Sequence, residues 1–427
     1  MIKKLNKILI FFIISLNIFS LVANAKPGVS ANNFVLMDAQ TGEVLYSNNA
    51  EVQSLPASTT KILTALVVFE NCDDLSVEVT IGENPPYADG SSLGIKQGEV
   101  YTIEELLIGL LLTSGNDTAE ALAEYVSGSL EEFAVLMNET AKRVGATNSN
   151  FSNPSGLDEE TKNLTTAKDL ALIMRELIKY PKYLEISSMV SYNFETKPYT
   201  DGTERWSVNG NKLINPNHSL YSPFVIAGKT GYTNASKHSF VCAAEKDGQT
   251  LIAMLMNGED KDTFYTSIEP LFEYGFENFK NIQPVKKGDI LSEYKINEEI
   301  TIPLVAKDDY FITKPRSFNE EIAVSVDYES KDLSKTHINQ GDSLFNASLL
   351  LNGEKVSDME LLSGATREYN DEIARKESID KLLNNKPLII GSIITILLVL
   401  LCFIKISSSM RRKKRLRKMR TKFNIRK

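Results

Sequence analysis

A run of twenty residues from Pro387 to Ile406 is apolar except for Ser392, Thr395 and Lys405. That length matches the hydrocarbon thickness of a bilayer, and core helices rarely stay apolar for so long. Residues 387–406 are therefore read as a transmembrane helix, which divides everything else in the chain. Behind it come Arg411, Arg412, Lys413, Lys414, Arg415, Arg417, Lys418 and Arg420, with no acid downstream. Cationic flanks of this kind stay in the cytoplasm, so residues 407–427 are expected to form a basic cytoplasmic tail. The competing reading, a buried helix followed by a nucleic-acid-binding tail, needs an unusually long apolar core segment.

The other end carries a shorter apolar run, Ile8 to Val22, behind Lys3, Lys4 and Lys7 and ahead of Ala23-Asn24-Ala25. This is the pattern of a signal peptide over residues 1–25, with Lys26 as the first mature residue; an uncleaved anchor is the alternative. Export at one end and a span at the other put residues 26–386 outside the cell on a single anchor. Charge agrees. The chain has a net charge of −8, with eleven cations in the tail from Arg411, three in the leader and no acid in either, so the remainder carries −22. A part so acidic does not suit nucleic acid or anionic lipid. Cys72 and Cys242 fall in the exported part and Cys402 in the span. One disulfide is arithmetically open, but a chain of this size needs no staple, and two buried thiols are expected.

At 427 residues the chain exceeds one compact domain, so two folded units with appendages are expected. Asn33–Met37 and Glu43–Tyr46 flank Ala39-Gln40-Thr41-Gly42 and read as a hairpin. Ser58 to Glu70 is nearly all apolar after Lys61, a buried helix. Asn84 to Ser92 reads as loop. Thr102 with Glu105 forms a capping box before a buried helix over Leu106–Leu112. Helices are also expected over Asp117–Val126, from Ser129 to near Gly145, and over Thr166–Ile178. Beyond that the texture turns to short strands, with a hairpin of Ser239–Ala244 and Thr250–Met256 around Asp247-Gly248. Residues 281–365 alternate like a small β sandwich, and residues 366–386 are charged and helix-prone, suiting a stalk.

Within residues 26–280, three short motifs occur in order: Ser58-Thr59-Thr60-Lys61, Ser114-Gly115-Asn116 and Lys229-Thr230-Gly231. Each is unremarkable alone; their order and contexts carry the signal. A serine hydroxyl is a poor nucleophile until a base removes its proton. If Ser58 opens a helix, Lys61 lies one turn along on the same face. A lysine amine is a base only when neutral. Burial against Leu63–Phe69 and a second cation, for which Lys229 is the candidate, would lower its pKa. His218, His238 and His337 read as surface or packing residues, and Tyr87, Tyr101, Phe133 and Trp206 as core or half-buried aromatics. No histidine or cysteine spacing suggests zinc, and the chemistry calls for neither metal nor cofactor.

With Asp117, Gly128, Met137-Asn138, Phe151, Asn153-Pro154, Gly156-Leu157-Asp158, Thr165-Thr166-Ala167 and Asp169, these motifs make the chain resemble, from about Asn33 to Lys280, a low-molecular-weight penicillin-binding protein of the D-alanyl-D-alanine carboxypeptidase family. The resemblance implies an α+β, β-lactamase/transpeptidase-like fold, an antiparallel sheet with packed helices, followed by a small all-β domain and one transmembrane helix. It implies that Ser58 attacks the penultimate D-alanine carbonyl, Lys61 takes its proton and Ser114 relays one to the leaving D-alanine. Asn116 would hold the substrate amide and the lysine. Lys229 and Thr230 would bind the terminal carboxylate, and Gly231 would let the substrate backbone approach. The backbone N–H groups of Ser58 and Tyr232 would form the oxyanion hole. Peptidoglycan stem peptide is the implied substrate, and β-lactams the covalent inhibitors. Many relatives carry a histidine where Ser155 stands, another residue where Tyr232 stands, and an amphipathic helix in place of the span. Two other readings stay open. A β-lactamase would need a deacylating glutamate, for which Glu159 and Glu160 lie in roughly the right region. An acylated sensor would not turn over.

Overall fold

The computed structural model describes residues 26–158, 162–194, 204–297, 300–369 and 371–423. The leader over 1–25, and Glu159 and Glu160, lie outside the described residues. The chain forms two compact units, one up to Pro284 together with Phe311–Glu320, the other Val285–Tyr310 together with Glu321 onward.

The first unit opens with the expected hairpin, β1 (Asn33–Asp38) and β2 (Val44–Asn48). Its turn is fixed by the Asp38 carboxylate, which accepts from the N–H groups of Gln40 and Thr41 at 2.9 and 3.0 Å. A 3-10 turn, Ala57–Thr60, leads into α1 (Lys61–Asn71), so Ser58 precedes the α-helix and only Lys61 onward is α-helical. Strands β3 (Glu78–Thr80) and β4 (Val100–Thr102) pair, and α2 (Ile103–Ile108) follows, with the Thr102–Glu105 capping box present. A π turn, Gly109–Thr113, ends on Ser114, whose φ of 65° lies in the left-handed region. Then come α3 (Asn116–Ser127), α4 (Leu130–Arg143), capped by Ser129, and α5 (Ala167–Leu177), capped by Thr166.

After Ile178 the expectation of strands and turns holds only in part. A short helix, α6 (Pro181–Ser188), precedes the hairpin of β5 (Ser191–Phe194) and β6 (Arg205–Val208). Strands β7 (Val225–Thr233), β8 (Lys237–Lys246) and β9 (Gln249–Gly258) complete an antiparallel five-stranded sheet of order β2-β1-β9-β8-β7. Helix α7 (Lys261–Asn278) was not anticipated, because Pro270 inside it and Gly275 near its end both read as helix breakers. Packing overrides that propensity. A Cβ on Gly275 would lie 2.5 Å from Leu251 Cδ1 and 3.0 Å from Leu36 Cδ2, so the glycine lets α7 lie close on the sheet.

Side chains alternate across the strands, and the sheet buries both faces. Val35, Met37, Val241, Ile252 and Met254 face a core built with α1 through α6. Phe34, Leu36, Phe240, Cys242 and Leu255 face Phe264, Ile268, Leu271 and Phe272 of α7. Cys242 is buried as expected, whereas Cys72 is half-buried, and both are free thiols.

Strand β10 (Phe279–Val285) crosses the expected boundary at 281. The second unit holds β11 (Ile290–Lys295) and β12 (Thr301–Ala306) before β13 (Tyr310–Pro315), which pairs with β10. Residues 311–320 belong to the first unit. Thr313 Oγ1 contacts Thr41 Oγ1 at 2.7 Å, and Arg316 Nε donates to the Phe276 carbonyl at 2.6 Å. Strands β14 (Val324–Tyr328), β15 (Ser343–Leu351) and β16 (Glu354–Ser363) complete a second five-stranded sheet, β11-β12-β16-β15-β14. Only one of its faces carries the core. Phe345, Ala347 and Leu349 alternate into it, and Leu333 and Ile338 cover part of it from the segment after β14. Val285 of β10 and Tyr310 of β13, from the two-stranded sheet, pack on the same core beside Leu349 and Met359. Helix α8 (Asp371–Asn384) occupies the stalk region. Helix α9 (Lys386–Phe423) is continuous from the apolar run into the basic tail, and its segment Ile389–Lys418 is long and apolar enough to cross a membrane.

Candidate active site

The turn that carries Ser58 is held by side chains and by close backbone approach. Ala57, immediately before Ser58, has φ 51° and is buried. Ser239 Oγ on β8 donates to the Pro56 carbonyl at 2.7 Å, and Thr59 Oγ1 donates to the same oxygen at 2.6 Å. Asn163 Nδ2 donates to Thr60 Oγ1 at 3.1 Å and to the Asn153 carbonyl at 3.0 Å. Gly156, at φ 86°, lies so close that a Cβ there would fall 1.8 Å from the Ala57 carbonyl oxygen. Gly231 serves the same turn. A Cβ on it would meet Ser58 N at 2.9 Å and Thr59 N at 3.0 Å, so its missing side chain makes room for the backbone of Ser58 itself. The sequence reading credited that glycine to substrate approach alone.

Lys61 is fully buried. Its Nζ contacts Asn116 Oδ1 at 2.6 Å, the Ser155 carbonyl at 2.8 Å and Ser58 Oγ at 3.2 Å. A neutral amine has two N–H bonds and one lone pair. The two shorter contacts are to carbonyl oxygens, which can only accept, so they use both N–H bonds and leave the lone pair for the Ser58 hydroxyl. Burial drives the Lys61 amine well below its ordinary pKa. The nearby Lys229 cation adds to the shift, and Asp117 pulls weakly the other way.

Ser114 and Lys229 form a second pair. Lys229 Nζ donates to Ser114 Oγ at 2.9 Å and to the Thr230 carbonyl at 2.8 Å, and burial lowers its pKa to about 7. Asn116 is fixed by Nδ2, which donates to the Asp89 carbonyl at 2.5 Å. Asp117 organises the loop above it, its carboxylate accepting from Ser92 Oγ and from the N–H groups of Leu93, Gly94 and Ile95. That loop is tied down again by a buried ion pair, Arg205 Nη1 to Glu99 Oε1 at 2.9 Å, while Arg205 Nε donates to the Gly94 carbonyl.

All the residues expected from the motifs converge. Ser58, Ser114, Thr230, Gly231 and Tyr232 line a cleft of about 340 Å³, with Lys61, Asn116 and Lys229 buried in its wall. His238, read as a surface or packing residue, also lines this cleft. Tyr101 and Phe133 are core, whereas Tyr87 and Trp206 are largely exposed. Sequence reasoning missed the Ser155 carbonyl, because a backbone acceptor carries no residue signal. It also missed Asn163, which lies outside every motif.

This geometry defines a class: serine acyl-transfer enzymes that use a lysine as base. Comparison with known proteins narrows it. The family profile described as D-alanyl-D-alanine carboxypeptidase matches residues 21–260, and that of the penicillin-binding protein 5 C-terminal domain matches residues 279–369. The chain belongs to the D-alanyl-D-alanine carboxypeptidase family. D-alanyl-D-alanine carboxypeptidase DacF of Bacillus subtilis is 30% identical over 77% of this chain and 83% of its own length. DacB2 of Mycobacterium tuberculosis is 35% identical over 58% of this chain and 84% of its own. Among solved structures, penicillin-binding protein 5 of Haemophilus influenzae is 26% identical, covers 80% of this chain and 98% of its own, and has a TM-score of 0.65.

Proposed function

We propose that the protein is a serine-type D-alanyl-D-alanine carboxypeptidase that trims the terminal D-alanine from peptidoglycan stem pentapeptides and is acylated by β-lactams. The observation that carries this reading is the buried Lys61 amine, 3.2 Å from Ser58 Oγ and held by two carbonyl oxygens. Lys61 takes the Ser58 proton as Oγ attacks the penultimate carbonyl. The N–H groups of Ser58 and Tyr232 stabilise the oxyanion, a donor of this kind being worth about 3 kcal/mol of barrier. Ser114, bonded to Lys229, passes a proton to the departing amine. Lys229 and Thr230 hold the terminal carboxylate, Asn116 holds the substrate amide, and water then releases the shortened peptide. The motifs require no metal or cofactor for these steps.

The enzyme acts from outside the cell on a single span, with the basic end of α9 in the cytoplasm. Release of D-alanine from a pentapeptide, with mass spectrometry of the penicillin-treated protein, tests the whole reading. Wild type is expected to release D-alanine and to keep a penicillin adduct on Ser58. Undiminished release by Ser58→Ala would remove the site assignment. Rapid loss of the adduct would favour a β-lactamase, and an adduct without release an acylated sensor.

A further inference from the structure

The Ser155 carbonyl, 2.8 Å from Lys61 Nζ, sits on a turn over residues 152–156, between α4 and α5. Asn153 folds that turn. Its Oδ1 accepts from the N–H groups of Ser155 and Gly156 at 3.2 and 2.7 Å, and its Nδ2 donates to the Leu157 carbonyl at 2.8 Å. Folding the turn does not place it against α1. Thr64, one helical turn along from Lys61, gives one anchor, its Oγ1 donating to the Pro154 carbonyl at 2.6 Å.

Asn163 gives the other. It is 2% exposed and lies outside every motif. Its Oδ1 accepts from the N–H groups of Ser152 and Asn153 at 2.7 and 3.2 Å, and its Nδ2 donates to the Asn153 carbonyl and to Thr60 Oγ1 at 3.0 and 3.1 Å. An amide side chain has two lone pairs and two N–H bonds. Here three of the four face the turn, and the fourth faces the residue just before Lys61. The backbone beside Asn163 is pinned as well: Leu164 bridges Asn150, and Thr165 bridges Ser54.

We propose that Asn163 is a positioning residue for the acyl-transfer step: it fixes the Ser155 carbonyl against Lys61, so that the Lys61 lone pair, and not an N–H bond, faces Ser58. Lys61 Nζ has three oxygens in reach, Asn116 Oδ1, the Ser155 carbonyl and Ser58 Oγ. A neutral amine has only two N–H bonds for them. With both carbonyls in place, the hydroxyl is the group left to donate. If the Ser155 carbonyl withdraws, one N–H bond is free to turn toward Ser58 Oγ, which accepts as readily as it donates, and the lone pair turns away from the proton it has to take. Asn163 is not among the residues that line the cleft, so its effect falls on rate and not on substrate affinity. The inference rests on the acylation chemistry proposed above and adds a residue to it.

The test follows two rates of the full-length protein across pH, acylation by penicillin and D-alanine release from a pentapeptide, in wild type, Asn163→Ala and Thr60→Val. Asn163→Ala is expected to slow both by between about ten- and a hundredfold, with KM unchanged. The acid limb of its profile should move to lower pH, because the ammonium form of Lys61 loses a carbonyl acceptor. Thr60→Val keeps the outline of the side chain and removes only the oxygen that Asn163 Nδ2 reaches, so the same pattern should appear with smaller amplitude. The charges that act on Lys61, Lys229 on β7 and Asp117 on α3, stay in place in both variants, so the limb reports the carbonyl. A fall by one factor at every pH with the limb unmoved or shifted upward, or wild-type rates in both variants, overturns the positioning role. If melting shows Asn163→Ala unfolded, Thr60→Val decides alone. A wild type that is acylated but releases no D-alanine ends the carboxypeptidase reading, and the acylation rates still decide the role of Asn163. A wild type that is never acylated ends both.

Discussion

The proposed mechanism asks two lysines in one site for opposite charge states, and this sets a pH dependence. In it Lys61 is a base only when neutral, and Lys229 holds a carboxylate only when protonated. Burial depresses both, with Lys61 held well below its ordinary value and Lys229 at about 7. A plot of kcat/KM against pH should therefore rise as Lys61 loses its proton and fall as free-enzyme Lys229 loses its own around neutrality. Lys229→Arg, whose charge is fixed, should flatten the alkaline limb; an unchanged limb would assign it to another group. The same depression has a stability sign. Between about 7 and 10.5 the unfolded chain binds the Lys229 proton and the folded chain does not. Stability should then rise with pH across that window, and Lys229→Met should reduce the slope in urea titrations. At this scale the sequence was informative: Ser58, Lys61, Ser114, Asn116, Lys229 and Thr230 all reach one cleft. What it concealed were backbone partners, the Ser155 carbonyl above all, and the left-handed Ala57 and Ser114, whose φ values no residue type announces.

Elements meet at the site through close backbone approach, so glycines there are steric rather than conformational alone. Gly156→Ala would both strain a positive φ and collide with the Ala57 carbonyl. A loss of at least about 2 kcal/mol is expected, with slowed penicillin acylation; wild-type melting and acylation rates would contradict it. The Arg205–Glu99 pair joins β6 to the segment before β4 and is almost wholly buried. Arg205→Ala should cost roughly 3–5 kcal/mol, because it removes one member of a buried ion pair; thermal denaturation measures it. Helices with strong caps, such as those begun by Thr102, Ser129 and Thr166, were legible because capping is a local side-chain signal. Helix α7 was not, because its stability comes from burying Phe264, Ile268, Leu271 and Phe272 on the sheet, a long-range gain that outweighs Pro270 and Gly275.

For the whole molecule, composition revealed the division into a large unit, a small β unit and an apolar helix. It did not reveal that residues 311–320 return to the first unit, since strand pairing across distant segments leaves no local trace. A chain ending at residue 369 lacks α8 and α9 but retains both five-stranded sheets. It should stay in the soluble fraction and still release D-alanine from a soluble peptide, while the full chain sediments with membranes; sedimentation of the shortened chain would mean another attachment. The anchor itself has a mechanical consequence. Helix α9 has 38 residues, so it is roughly 57 Å long, nearly twice the ~30 Å of the hydrocarbon layer. In the proposed orientation the surplus is a stiff, cation-studded stub beneath the inner leaflet. A pull from the wall side would have to draw those cations into the hydrocarbon, and the cost of stripping their water resists extraction of the helix.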